Sequence, residues 1–408
     1  MQPSFRKTTA LLAGAIVVAL GSAANTAFAD PDAGTPTVTT PAPSTPAPEA
    51  PAPKETPVAP APMISVSGEI DGYYQYQFEN PKDTTDITGR IYAFRHNTPT
   101  VRLAWVDIAH AAKPGEFGFK VSLATGDAAD RDIAPGGGEE KYKNLAQIYG
   151  TYASKGGITV DAGKFLSPYG YDTTEAILNY NYTLTLATYL VPNYLGGIRA
   201  TVPFKNLAVS AFVVNDLEET ATSGIQEDNN HKDFILRLNY TSPDGKLNYI
   251  PAVGVGRDKL GGPLGKGNED VILWDNWLTY HVTPKITLAG EYVYRKDKDK
   301  GGLYNLRGDG YGFYYRQQLD SKNAIALRYS ALAKHTEDVS GFPSSTSSFR
   351  ADEETATFEQ KVASNFTVRY EFRHDHSNNA SLFGFVDSDG NITKSDQNAA
   401  LVAGIFTF

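Results

Sequence analysis

Hydrophobic and polar residues alternate with a period of two through about sixteen short segments between residues 63 and 408. In one of them, Phe117, Phe119 and Val121 share one parity, and Lys120 and Ser122 share the other. A period of two is the period of a β-strand, in which successive side chains point to opposite faces of the sheet. The pattern therefore predicts an all-β structure for residues 63–408.

The connections between these segments alternate in length. Long polar loops alternate with short turns, and the short turns lie at 112–115, 154–157, 203–206, 242–246, 283–285, 320–323 and 363–365. A barrel that crosses a bilayer has this asymmetry, with tight turns at one rim and larger loops at the other. We therefore predict a transmembrane antiparallel up-and-down β-barrel of about 16 strands, with both termini at the short-turn rim.

The first 29 residues have the features of a secretory signal peptide. Arg6 and Lys7 precede the apolar run 10–20, and Ala-Phe-Ala at 27–29 forms a small-x-small cleavage site. The apolar run is too short to span a bilayer comfortably as a helix. We predict that residues 1–29 direct export and are then removed.

Residues 30–62 form a separate segment rich in Pro, Ala and Thr. Such a composition cannot bury a core and favours an extended, polyproline-like chain. We predict a disordered linker that acts as an N-terminal tether in the periplasm. The segment is either a simple spacer or an arm that contacts the cell wall.

The composition fits a membrane barrel. The chain has no Cys, so a closed ladder of hydrogen bonds, and not disulfides, would hold the exported fold together. Its 24 Tyr and 20 Phe exceed the needs of a globular core, and Tyr is typical of the girdles at the two membrane interfaces. The formal net charge of −9 argues against nucleic-acid binding.

Charged residues recur at every second position in several segments. An Arg or Lys that faces lipid at the midplane costs about 2–4 kcal/mol, so the charged parity must face a polar interior. One β-bulge would reverse the assignment beyond it. The predicted pore-lining residues are Glu69, Asp71, Arg102, Lys120, Asp161, Arg199, Arg237, Asp275, Glu291, Arg295, Arg316, Arg328, Glu359, Lys361, Arg369, Glu371 and Arg373.

The chain ends in an amphipathic segment whose last residue is Phe408, with Phe406 and Val402 on the same face. This segment resembles the C-terminal strand signal by which the barrel-assembly machinery recognises outer-membrane barrels. Gly404 departs from the pattern, because a large residue is common at that position. We predict that the assembly machinery is a partner of this strand.

Three segments carry a family resemblance. GEIDGYYQYQFENP (68–81), GKFLSPYGYDTTE (163–175) and NYNYTLTLATYLVPNYLGGIRATV (179–202) resemble the OmpL-like family of outer-membrane β-barrel porins. The similarity extends over most of residues 65–408. The resemblance implies a diffusion channel in the outer membrane of a Gram-negative bacterium, and it implies no particular substrate.

The third long loop, 167–193, is aromatic and apolar, with only Asp172 and Glu175 charged. A loop in free solution would not be so hydrophobic, so we predict that it packs inside the barrel and narrows it. Porins with sixteen strands commonly fold their third external loop in this way. Asp172 and Glu175 would then face arginines of the barrel wall across the constriction. The alternative is a loop that lies over the rim.

Other long loops, at 126–142, 215–231 and 375–396, are acidic. They are interpreted as solvated surface. The functional alternative is that divalent cations bridge them to anionic lipopolysaccharide, which together with outer-membrane lipid is a predicted partner.

The sequence gives little support to catalysis. None of the seven His lies in a zinc-protease or nucleophile-elbow motif, so no enzyme activity, cofactor or metal is expected. The leading hypothesis is a porin through which small hydrophilic solutes diffuse passively along a polar lumen. The alternatives are a substrate-selective channel for sugars or organic anions, a structural or adhesive barrel without an open pore, and a barrel hydrolase. A homotrimer is a further possibility for a porin of this size.

Overall fold

The computed structural model of the protein describes residues 64–82, 86–132, 144–217, 230–259, 268–300, 304–338 and 345–408. The predicted signal peptide and linker lie outside the described residues. Sixteen of the strands in this part of the chain close into one barrel. The prediction of an all-β, sixteen-stranded barrel is confirmed.

The elements follow one another along the chain with few helical residues between them. The barrel strands are β1 (Ser65–Gln77), β2 (Thr100–His110), β3 (Phe117–Thr125), β4 (Leu145–Ala153), β5 (Thr159–Leu166), β6 (Tyr194–Pro203), β7 (Leu207–Val214), β8 (Asp233–Thr241), β9 (Leu247–Lys259), β10 (Asn268–Thr283), β11 (Ile286–Asp299), β12 (Tyr304–Gln318), β13 (Asn323–Asp338), β14 (Ser345–Ala363), β15 (Phe366–Ser377) and β18 (Asp396–Thr407). A two-stranded hairpin, β16 (Phe385–Val386) and β17 (Ile392–Lys394), precedes the last strand. The helical elements are α1 (Asp127–Asp132) and two 3₁₀ helices, Ala176–Leu178 and Leu186–Leu190.

Each barrel strand pairs antiparallel with its neighbours in the chain, and β1 closes the barrel against β18. The closure is completed by two backbone hydrogen bonds, from Gly68 N to Phe408 O at 3.0 Å and from Phe408 N to Gly68 O at 3.1 Å. A closed barrel has no unpaired sheet edge, which is what lets strands cross lipid. Both ends of the barrel sequence therefore lie at the short-turn rim.

The barrel wall is uneven in height. β5 and β7 have eight residues each, whereas β10 has 16 and β14 has 19. A tilted strand needs roughly 9–11 residues to cross a bilayer. The long strands therefore extend past the bilayer at the long-loop rim, where outward positions such as Lys296, Lys298 and Arg307 carry charge.

The outer face is apolar. Phe234, Leu236, Leu327, Tyr370 and Phe372 are exposed on it, and each alternates with an inward neighbour. Alternation of apolar outward and polar inward residues is the pattern of a lipid-embedded barrel. Among the described residues, no helix is long enough and apolar enough to span a membrane.

The last strand explains the unexpected glycine. A Cβ atom on Gly404 would lie 3.2 Å from Cζ of Phe366, whose ring covers this position from the neighbouring strand. Phe408 is half exposed at the rim, 6.2 Å from the ring of Phe406. The aromatic surface that a large residue at 404 would supply is thus contributed by β15.

Candidate functional site

The third long loop lies inside the barrel. It enters after β5, forms the two 3₁₀ helices and leaves into β6. Asn181 has no exposed surface, and Tyr182 and Leu186 are each 1% exposed. The loop's hydrogen bonds reach β1, β10, β11 and β13–β15, so it crosses the interior and does not lie over the rim.

Carboxylates of the barrel wall accept hydrogen bonds from the backbone of this loop. Glu69 accepts from the N–H groups of residues 176 and 177, at 2.8 and 2.9 Å. Glu371 accepts from those of residues 182 and 183, at 2.6 and 3.0 Å. Because irregular backbone cannot satisfy its own buried N–H groups, these charge-assisted bonds stabilise the loop where it is.

Two further carboxylates hold the start of the loop from the opposite sector of the wall. Asp275 on β10 accepts from Gly170 N at 2.7 Å, and Glu291 on β11 accepts from Tyr171 N at 2.7 Å. Both carboxylates are buried. The loop is thus anchored through its backbone on two sides of the interior.

Arginines of the wall donate to the loop's carbonyl groups. Arg369 donates to the carbonyl oxygens of residues 176 and 179, at 2.6 and 2.7 Å. Arg373 and Arg328 both donate to the carbonyl of Leu184, at 2.6 and 3.2 Å. Wall acids and wall arginines therefore bind complementary groups of one backbone.

Asp172 of the loop meets a wall arginine directly. It lies 3.2 Å from Arg328, and it accepts a hydrogen bond of 2.8 Å from Thr185 N. Burial raises the pKa of Asp172 to about 6, and Arg328 opposes that rise. Glu175 is half-buried just before the first 3₁₀ helix. We had expected Asp172 to face wall arginines across an open gap, but Asp172 and Arg328 are in direct contact.

A bulge places Arg102 in the interior. The pairing of β1 with β2 shifts between Asp71 and Gly72, so that Arg102 and Leu103 both point inward. Arg102 donates two hydrogen bonds to Asp71, at 2.7 and 2.6 Å, and one of 2.8 Å to the carbonyl of Thr174. A bulge re-aims side chains in this way without ending the strand.

Most of the predicted interior residues fall into two groups. Those bonded to the 167–193 loop are Glu69, Asp71, Arg102, Asp275, Glu291, Arg328, Arg369, Glu371 and Arg373. Others pair with charges of the wall: Lys120 with Asp107 at 3.2 Å, Asp161 with Arg199 at 2.8 Å, Arg295 with Asp297 at 2.9 Å and Arg316 with Glu359 at 2.8 Å. Arg237 is partly buried on β8, and Lys361 is exposed at the short-turn end of β14.

One sector of the interior is apolar, which the expectation of a polar lumen missed. Phe165, Phe212 and Leu273 point inward and belong to one buried cluster with Leu186 and Leu190 of the loop. The sequence signal is the apolar run in the loop itself, which needs an apolar surface to cover it. Solvent is excluded from this sector because the packing is between hydrocarbon groups.

The first long loop also enters the barrel, and the sequence pattern did not predict it. Arg90 lies 2.5 Å from Asp375, and both side chains are buried. Gln75 donates to the carbonyl of Ala93 at 3.0 Å. The interpretation of the acidic loop 375–396 as solvated surface is therefore wrong for Asp375, which pairs with Arg90 and Arg373.

Histidine side chains do not assemble a metal site in the described ranges. His374 and His376 both point outward, and their Nδ1 atoms lie 3.0 Å from Asn398 and 2.7 Å from Asp396. Within those same ranges, no group of three or more His, Asp or Glu side chains could hold a metal ion.

Comparison with known proteins gives a family and a fold. The model of the family described as "Putative beta-barrel porin-2, OmpL-like" matches residues 63–408. The search of curated proteins found no match.

Solved structures with a similar fold include three outer-membrane proteins. OmpT of Vibrio cholerae, described in its trimer form, is 13% identical, with 85% of this chain and 99% of that chain covered and a TM-score of 0.56. The channel DcaP of Acinetobacter baumannii is 9% identical (85% and 97% covered, TM-score 0.57), and an anion-selective porin of Comamonas acidovorans is 11% identical (85% and 99%, TM-score 0.54). At these identities the likeness concerns the fold alone.

Proposed function

Because this chain belongs to the OmpL-like β-barrel porin-2 family of outer-membrane porins, we propose that it is a restrictive porin, in which small hydrophilic solutes pass a loop fixed inside the barrel. The observation that carries the proposal is the anchoring of the 167–193 loop. Wall carboxylates hold its N–H groups and wall arginines hold its carbonyl groups. A loop bound on both sides reduces the cross-section permanently.

We infer that the solute path on the short-turn side is lined by the wall charges that stay partly exposed beside the loop. Arg316 keeps 22% and Glu359 16% of the side-chain surface exposed, although they pair with each other. Such exposure means that water reaches this part of the interior. The inferred lining residues are Arg237, Arg316, Glu359 and Lys361, which are partly or fully exposed, whereas Lys120, Asp161 and Arg199 are buried.

The charges along this path are of both signs, with a basic excess. Paired charges present both donors and acceptors to a passing solute, which favours small polar molecules over any one ion. The excess of arginine and lysine adds a modest preference for anions. A channel selective for one sugar or organic anion would differ by showing block of its conductance at low concentrations of that solute.

Conductance in planar bilayers tests the proposal. We expect discrete steps for the wild type and larger steps when residues 176–190 are replaced by a short Gly-Ser linker, because that change empties the interior. Heat-modifiable migration of the variant in gels controls for folding. The Lys361→Gln variant removes an exposed wall charge and none of the loop's hydrogen bonds, so it serves as the matched control, with the step size of the wild type.

Two results contradict the proposal. Equal steps for the wild type and the linker variant would mean that the loop does not restrict the pore. Silence of both folded proteins would favour a structural barrel without an open pore. That second candidate is supported by the apolar cluster around Phe165 and Leu186, which fills one sector of the interior.

The assembly of the protein is also part of the proposal. A homotrimer is supported by the fold shared with OmpT, whose structure is described in a trimer form. The tether would extend into the periplasm from the short-turn rim, where β1 begins. Native mass spectrometry of the detergent-extracted protein measures the copy number, and a monomer at all concentrations would refute the trimer.

A further inference from the structure

A row of aromatic side chains marks the upper edge of the lipid-facing belt on β10–β12. Trp274 faces Tyr294 across the β10–β11 pair, and Tyr292 faces Tyr311 across the β11–β12 pair. Trp274 is 47% and Tyr292 39% exposed on the outer face. Because such residues lie at the level of lipid headgroups, this row locates the outer-leaflet interface on the long-loop side.

Basic side chains lie on the same outer face, two residues further along these strands toward the long-loop rim. Lys296 follows Tyr294 by two residues and stands directly opposite Arg307 of β12, and Lys298 comes two residues later. All three are exposed. Like charges directly opposite each other on a sheet face are destabilising. Asp270 stands opposite Lys298 across the β10–β11 pair, but within the described ranges no carboxylate lies within ion-pair distance of Lys296 or Lys298.

Arg307 is held in a fixed orientation beside these lysines. Its guanidinium donates to Asp309 at 3.1 and 3.4 Å and lies 5.5 Å from the ring centre of Tyr294. Asp309 also accepts a hydrogen bond of 2.8 Å from Tyr292. An arginine fixed in this way loses little conformational entropy when it binds a further anion.

The neighbouring strands extend the basic strip. Arg257 of β9 and Lys300, just after β11, each lie 3.2 Å from the same carboxylate, that of Asp270. Two basic groups thus share one acid. We call the outward set of Arg257, Lys296, Lys298, Lys300 and Arg307, together with Asp270 and Asp309, the β9–β12 basic strip.

We propose that the β9–β12 basic strip binds the phosphate groups of a phosphorylated glycolipid in the outer leaflet. The strip faces away from the pore, directly above the aromatic row, so lipid headgroups are what it meets in the membrane. Arginine and lysine are the side chains that bind phosphate, through charge and directed N–H groups. Basic clusters next to a membrane interface recognise anionic lipid in the same way.

This binding needs no divalent cation. It differs in that respect from a bridge between the acidic loops and lipopolysaccharide. It rests on the outer-membrane placement of the barrel and not on its conductance.

The test counts bound lipid by native mass spectrometry. The mature barrel in detergent is titrated with bisphosphorylated lipid A, with dephosphorylated lipid A and with inorganic phosphate, in the presence of EDTA. We expect the wild type to bind bisphosphorylated lipid A about tenfold more tightly than K296Q/K298Q/R307Q. Dephosphorylated lipid A should bind both proteins equally and weakly.

Two control variants separate the strip from net charge and from folding. K246Q/K285Q/K322Q removes three exposed positive charges from the short-turn rim and should bind lipid A as the wild type does. K296R/K298R/R307K keeps the charge of the strip and should retain most of the affinity. All variants should stay heat-modifiable and keep the wild-type conductance, so a loss of conductance would concern the pore and not the strip.

The proposal is overturned if K296Q/K298Q/R307Q binds lipid A like the wild type. It is also overturned if the short-turn control loses affinity equally, because net charge would then explain the binding. Displacement of lipid A by inorganic phosphate at equal phosphate concentration would make the strip a site for free anions and refute the lipid assignment.

Discussion

Single carboxyl groups buried in the barrel interior make the stability of the protein depend on pH. Asp172 is buried between Arg328 and the backbone of Thr185, and burial raises its pKa to about 6. In the unfolded chain the same group titrates near 3.8. The native state therefore binds one proton more than the unfolded state between these two pH values, and stability falls as pH rises through that window.

Asp172→Asn removes this pH dependence. Relative to the variant, the wild type should lose about 2 kcal/mol of unfolding free energy between pH 4 and pH 7, because each pKa unit corresponds to about 1.4 kcal/mol and part of the effect is already lost at pH 4. Urea unfolding in detergent, followed by tryptophan fluorescence at a series of pH values, measures both proteins. Other carboxylates titrate in both and cancel in the difference. Parallel curves would mean that Asp172 stays ionised in the folded barrel.

Phe408 is a second residue whose role can be tested alone. It closes the barrel through its backbone, and its ring lies over Gly68, where a Cβ atom would come within 2.6 Å of Cζ. Phe408→Ser keeps the backbone bonds but removes the terminal aromatic, so we expect slower insertion with normal export. Pulse-chase heat modification measures folded protein, and signal-peptide cleavage serves as the control. Wild-type rates of folding would contradict the prediction.

Among the secondary-structure elements, β15 contributes two arginines that hold the 167–193 loop in place. Arg369 and Arg373 donate to its carbonyl groups at 2.6–2.7 Å. Arg369→Gln with Arg373→Gln should release this side of the loop and increase single-channel conductance. Reversal potentials should also shift toward cations, most clearly at low salt, because two positive charges leave the interior.

Lys361→Gln provides the comparison for this prediction. Lys361 is exposed at the short-turn end of β14, and among the described residues no hydrogen bond or ion pair joins it to the loop, so its removal should shift selectivity without raising conductance. If the double variant changes selectivity but not conductance, the arginines act on ions alone and the loop is fixed by other contacts. If it changes neither, the loop lies away from the solute path.

At the scale of the whole molecule, the barrel and the N-terminal segment are expected to be independent. The ladder of the barrel begins at Ser65 and closes on itself through β1 and β18. Deletion of residues 31–60 should therefore leave a heat-modifiable barrel in the outer membrane with unchanged unfolding in urea. Failure of the shortened protein to assemble would show that the tether has a role beyond spacing.

The architecture follows from local patterns in the sequence. The period of two and the alternation of short and long connections are local properties, and they were sufficient for strand number, pairing order and closure. Charge on one parity also identified residues that point inward, such as Glu371 and Arg373. These features follow from neighbours in the chain, because a strand sends successive side chains to opposite faces.

The contacts of those inward residues depend on the folded barrel and cannot be read from the sequence. Asp172 and Arg328 are 156 positions apart, and Arg90 and Asp375 are 285 apart, so no local pattern pairs them. Leu103 faces inward beside Arg102, as the sequence predicted for Arg102 alone, because a bulge adds a residue to β2 that strict alternation does not reveal. Side chains in a barrel meet across its interior, and the fold of the loops decides which of them bind the backbone and which remain exposed to water.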